Sequence, residues 1–77
     1  MRIQASFALM RLLRSPERPP ELAGMVRALL VNPRPEWARP LAGEPNSLEL
    51  PVSGYWLTWQ IDESQGETVI RATVIEE

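Results

Sequence analysis

The sequence predicts an α+β domain of order β-α-α-β-β-β, with two helices packed on one face of a mainly antiparallel sheet. Three observations carry that expectation. Two early segments, residues 7–14 and 22–30, place apolar residues at helical spacing. From residue 48 to residue 75, apolar and polar side chains alternate at the two-residue period of strands. The sheet so formed needs a cover, and the two helical stripes are the apolar faces available to supply it.

Ile3 and Ala5 fit a short opening strand, and Ser6 stands where a helix cap is needed. In the helix that follows, Phe7, Met10 and Leu13 or Arg14 fall on one stripe. Ser15-Pro16 and Pro19-Pro20 interrupt it, because proline removes a donor and restricts the residue before it. The second helix opens at Pro20 or Glu21. Its buried face is Leu22, Met25, Val26, Leu29 and Leu30, with Arg27 off the stripe. Asn32-Pro33 ends it.

Residues 33–47 are rich in Pro, Gly, Asn and Ser and read as an ordered connection pinned by Trp37 and Leu41. Leu48, Leu50 and Val52 then alternate with Glu49, Pro51 and Ser53; Pro51 has no N–H and favours an edge position. Ser53-Gly54 supplies a short turn or bulge. In the next strand Tyr55, Leu57, Trp59 and Ile61 share one face, while Trp56, Thr58, Gln60 and Asp62 share the other. Residues 62–67, with Gly66, read as a hairpin connection. In the last strand, residues 68–75, Ile70, Ala72 and Val74 point to the core, and Arg71 and Thr73 join Trp56 and Thr58 on the open face.

A length of 77 residues accommodates one domain, residues 1–77, with one core. Cysteine and histidine are absent. Their absence excludes a disulfide, a thiol nucleophile and zinc held by either residue, and removes the side chain best placed to exchange protons near neutrality. Neither a cofactor nor a metal is expected. No stretch approaches the roughly 18 apolar residues that span a bilayer, and the N-terminus lacks the apolar run of a signal peptide. A cytoplasmic protein without membrane contact is expected. All eight cationic side chains are arginine; residues 1–40 carry seven Arg against three Glu, whereas residues 41–77 carry one Arg against six Glu and one Asp. Either a charged partner uses this asymmetry, or the arginines coat the helices and bridge to neighbouring carboxylates.

The opening strand and helical pair, Val31-Asn32-Pro33-Arg34-Pro35, Arg39-Pro40-Leu41-Ala42-Gly43, Gly54-Tyr55-Trp56-Leu57-Thr58-Trp59-Gln60-Ile61-Asp62-Glu63 and the closing strand from Glu67 to Ile75 follow one another in this order. They carry a resemblance to the RelE/ParE toxin superfamily of type II toxin–antitoxin systems. It covers nearly the whole chain, and the family's motifs are loose. It implies a RelE/ParE-like fold and a partner antitoxin. The nuclease branch of the family resembles enzymes that cleave ribosome-bound mRNA with a base and positive side chains on the open sheet face. That chemistry needs a group to activate the ribose 2′-hydroxyl and cations to stabilise the phosphate.

The inventory carried across is sparse. Ser47 and Glu49 stand where the nuclease branch has two lysines, Trp56 stands where it has an arginine, and the chain runs Val74-Ile75-Glu76-Glu77 where the family has a glycine and a basic pair. Arg71 and Tyr55 are the catalytic candidates that remain, with Glu49 a poor base because its charge repels phosphate. Tyr55 and Trp59 read primarily as core residues. Arg39, Trp56 and Arg71 are the candidates for contact with a partner; Trp56 can stack on a base or anchor a protein segment. The resulting expectation is a toxin-like protein that acts by association, with weak or absent mRNA cleavage, and with the arginine-rich helical half as the receiving surface. The alternatives are a ribosome-dependent mRNA endoribonuclease, a DNA gyrase inhibitor, and a non-toxic structural or regulatory remnant. The corresponding partners are an antitoxin, the ribosome and its mRNA, gyrase, or a second copy of the chain.

Overall fold

Ser6 fixes the first junction of the molecule. It follows strand β1 (Arg2–Ala5) and caps helix α1 (Phe7–Arg14), its Oγ accepting the Leu9 N–H at 3.1 Å. The same hydroxyl donates to Thr73 Oγ1 at 2.7 Å, which ties the start of the helix to the far end of the chain. The computed structural model describes residues 1–64 and 66–77.

Helix α1 agrees with the expected span but differs in the face it buries. Leu9 is fully buried, Leu12 and Leu13 pack beside it, and Phe7 and Met10 face outward. Leu9, Leu12 and Leu13 lie at i, i+3 and i+4 and form the broader apolar arc. The Phe7–Met10–Arg14 stripe is left on the outside, with the Arg11 guanidinium 5.8 Å from the centre of the Phe7 ring. Helix α2 (Leu22–Val31) buries Leu22 and Leu29 completely and Met25 and Val26 in part. Leu30 stays 42% exposed, because it lies about 80° around the helix from Leu22, at the margin of the stripe. Asn32 terminates α2 in an extended conformation, and its Oδ1 accepts the Arg34 N–H.

The structure adds a strand within the expected connection. Strand β2 (Arg39–Pro40) pairs antiparallel with β3 (Ser47–Val52), Arg39 opposite Glu49 and Pro40 opposite Leu48. Two residues are too few to show a strand period. Strands β3 and β4 (Tyr55–Asp62) form a hairpin through Ser53 and Gly54, both at positive φ (40° and 90°). That is the geometry of a tight two-residue turn whose twist matches the strands. Strand β5 (Val69–Glu76) pairs antiparallel with β4 and parallel with β1. Within the connection expected at 62–67, Gln65 lies outside the described residues.

Among the described residues the product is an α+β architecture with two helices and a five-stranded, mainly antiparallel sheet in the order β1-β5-β4-β3-β2. Leu57, Trp59, Ile61, Ile70 and Ala72 share one core with Leu9, Leu22 and Leu29, so both helices lie against the same sheet face. Trp59 joins the layers: its ring is buried, and its Nε1–H donates to the Pro33 carbonyl at 2.8 Å, fixing the turn after α2 to the sheet. Trp37 meets it in a tilted arrangement with centroids 6.5 Å apart. Among the described residues no helix is long and apolar enough to cross a membrane.

Candidate functional site

The pleat sends alternate side chains to opposite faces, and the register places the outer ones in rows. Gln4, Arg71, Gln60 and Ser47 form one row across β1, β5, β4 and β3; Thr73, Thr58, Glu49 and Arg39 form the next; Ile75, Trp56 and Pro51 form a third. The connection between β2 and β3 covers part of this face. Leu41 N–H donates to the Ser47 carbonyl, Ser47 N–H donates to the Glu44 carbonyl, and Ser47 is buried as a result.

Both cations of these rows are engaged within the chain. Arg39 Nη2 lies 2.9 Å from Glu49 Oε1, and its guanidinium stands 4.9 Å from the centre of the Trp56 ring. Arg71 pairs with Asp62 at 3.2 Å and donates to Gln4 Oε1 at 3.4 Å. Ser64 hydrogen bonds, through its hydroxyl and its N–H, hold the Asp62 carboxyl below its ordinary range, and the Arg71 charge acts in the same direction. Glu49 puts a carboxylate in the middle of the open face. Its charge opposes an approaching phosphate.

The sequence-derived candidates are not gathered in one place. Tyr55 lies on the helix-covered side, half-buried, where it lines a cavity of about 420 Å³ with Ala8, Arg11, Leu12, Val74 and Glu76. Arg71 lies on the opposite face beside Gln60, roughly 16 Å along the strand from Tyr55. One scissile group cannot meet both. Trp56, Arg39 and Glu49 do converge, with Pro51 and Ile75 flanking the indole across the strands. Among the described residues no group of histidine, cysteine, aspartate and glutamate is arranged to hold a metal ion.

A second region is built from the two helices and the turn between them. Arg14 at the end of α1, Arg18 in the turn and Arg27 on α2 surround a groove of about 610 Å³, walled by Pro16, Pro20 and Ala23. Arg18 donates to the Leu13 carbonyl at 2.7 Å and so covers an exposed helix-end acceptor. Among the described residues no carboxylate lines the groove; Glu17, in the same turn, is exposed outside it. Glu21 is turned elsewhere: it accepts a hydrogen bond from Ser53 Oγ, which lowers its pKa from the usual carboxylate value. Among the described residues, Arg2, Arg34, Arg39 and Arg71 make ion pairs, and Arg11, Arg14, Arg18 and Arg27 make none. The groove as a unit was not legible from residue spacing, since three separate segments build it. The arginine excess of residues 1–40 is the signal that pointed to it.

No family model, curated protein or solved structure matches this chain.

Proposed function

We propose that the chain is a RelE/ParE-like, toxin-like component of a type II toxin–antitoxin system that acts by binding protein, with mRNA cleavage weak or absent. The layout supports the scaffold half of this reading: a helical pair on one side of a sheet whose first strand runs parallel to its last. It stands beside the Asn32-Pro33-Arg34, Arg39–Gly43 and Gly54–Asp62 motifs.

The observation that carries the functional half is the state of the open face. Cleavage of a phosphodiester needs a base and uncommitted cations within reach of one phosphate. Here Arg39 faces Glu49, Arg71 faces Asp62, and Tyr55 lies behind the sheet. Association has more to work with. The helical half offers four arginines outside any ion pair among the described residues, and the open face adds Trp56, bracketed by Arg39, as a second contact with Arg71 at its margin.

Two assays test the reading together. Co-expressed with the protein encoded beside it, the chain should co-purify as a stable complex, and added alone to programmed ribosomes it should leave the mRNA intact. Efficient cleavage, lost in Arg71→Ala, would move the assignment to the endoribonuclease alternative. A well-behaved monomer with no affinity for its neighbour would remove the antitoxin-partner reading.

A further inference from the structure

We infer that the groove between the end of α1 and the start of α2 is a docking site for a short acidic segment of a partner protein, two or more carboxylates set beside an apolar side chain. The inference narrows the proposed function to one groove and one chemistry, and rests on that reading only in taking the partner to be a protein.

Three features fix the occupant. The first is charge: Arg14, Arg18 and Arg27 converge on a groove with no lining carboxylate among the described residues. The planar guanidinium presents paired donors that match the two oxygens of a carboxylate, and arginine clusters are a recurrent means of reading acidic motifs. The second is extent. The chain as a whole carries a net charge of −2, residues 41–77 are acidic, and the arginines outside any ion pair among the described residues are gathered at the helical end. A long polyanion such as RNA, whose affinity grows with the number of phosphates neutralised, would leave this patch and run over a repulsive surface. A short segment ends within it.

The third feature is the wall. Pro16, Pro20 and Ala23 give the basic groove apolar sides, and Ser15 borders both this groove and the Tyr55 cavity, where Ala8, Leu12 and Val74 supply the apolar part of a lining completed by Arg11, Tyr55 and Glu76. An acidic segment lying along Arg14 and Arg27 therefore reaches, on the other side of Ser15, a pocket for one aliphatic or aromatic side chain. Buried apolar anchors of this kind carry a large share of interface affinity.

The test uses the full-length chain and a fluorescein-labelled peptide of alternating glutamate and leucine, read by anisotropy at low and high salt. Binding is expected, weakening as salt screens the charges. Arg14→Ala and Arg27→Ala should each weaken it about tenfold, the cost of one charged hydrogen bond, without altering the thermal midpoint beyond that of a neutral surface change. Arg2→Ala and Arg34→Ala, at ion-paired positions outside the groove, should leave affinity unchanged. A peptide with leucine replaced by serine should bind more weakly. Equal binding by the Arg14→Ala/Arg27→Ala double variant, absence of peptide binding by the folded wild type, or tighter binding of a single-stranded RNA of the same length would each overturn the inference. Pull-down of the neighbouring gene's product separates the two levels. Capture that survives the double variant sinks the groove and leaves the proposed function standing; peptide binding without any captured neighbour keeps the groove and sinks the antitoxin reading.

Discussion

The eight arginines divide into two sets of four, one around the helices and one around the sheet, and the sets have opposite surroundings. Arg2, Arg34, Arg39 and Arg71 lie within 4 Å of Glu67, Glu63, Glu49 and Asp62 respectively. Arg11, Arg14, Arg18 and Arg27 have no such partner among the described residues, and three of them face one groove. The same side chain therefore serves two ends. Beside the sheet it offsets the acidic half and braces strand edges; beside the helices it stands outside any ion pair among the described residues.

The comparison breaks most readily at the residue that connects the two regions. Trp59→Ala removes a fully buried ring and the hydrogen bond to the Pro33 carbonyl, at an expected cost of about 3–5 kcal/mol. A domain of this size has roughly 5–10 kcal/mol to lose. Denaturant unfolding followed by circular dichroism should show both regions melting together. A helical signal that survives loss of the sheet would show that the two are separately stable. Next in size is Gly54→Ala. The position has φ of 90° and open space around the missing Cβ, so the cost is backbone strain alone, about 1–2 kcal/mol, measured as a shift in the denaturation midpoint without a change in slope.

The two arginine sets should then separate in stability. Arg39→Ala loses the Glu49 pair and the contact over Trp56 and should destabilise by about 0.5–1 kcal/mol. Arg27→Ala, which breaks no ion pair, should stay within about 0.5 kcal/mol of wild type. Paired thermal melts read the difference.

The smallest expected effect is with pH. The folded pKa of Asp62 is lowered, chiefly by Ser64 and then by Arg71, and that of Glu21 by Ser53. A lowered folded value means that the stabilisation is present above the ordinary carboxylate pKa and is lost as pH falls through the folded one. Stability should decline on the acid side, and Asp62→Asn should remove part of that decline.

Much of the fold was legible because it rests on local chemistry. Ser6 as a cap, Asn32-Pro33 as a stop, Ser53-Gly54 as a turn and the alternation of Tyr55, Leu57, Trp59 and Ile61 each follow from neighbours in sequence. The orientation of α1 was harder. Phe7–Met10–Arg14 and Leu9–Leu12–Leu13 are both plausible stripes in an eight-residue helix, and the choice is made by the sheet beneath it. Strand β2 escaped because a two-residue pairing, one of them Pro40, has no periodic signature. The partners of the arginines were legible only as a count. Arg39 meets Glu49 through strand register, Arg71 meets Asp62 along one sheet face, and the Arg14–Arg18–Arg27 groove needs two helices and a turn to close upon each other. Long-range geometry decides all three.

The most direct test sets the two arginine sets against each other in one experiment: capture of the protein encoded beside this chain by the Arg14→Ala/Arg27→Ala variant and by the Arg39→Ala/Arg71→Ala variant, each with its thermal midpoint measured. The helical pair should lose capture with its midpoint unchanged, and the sheet pair should keep most of its capture with its midpoint lowered. Full capture by the helical variant together with loss of capture by a stable sheet variant would place recognition on the open face and contradict this division of roles.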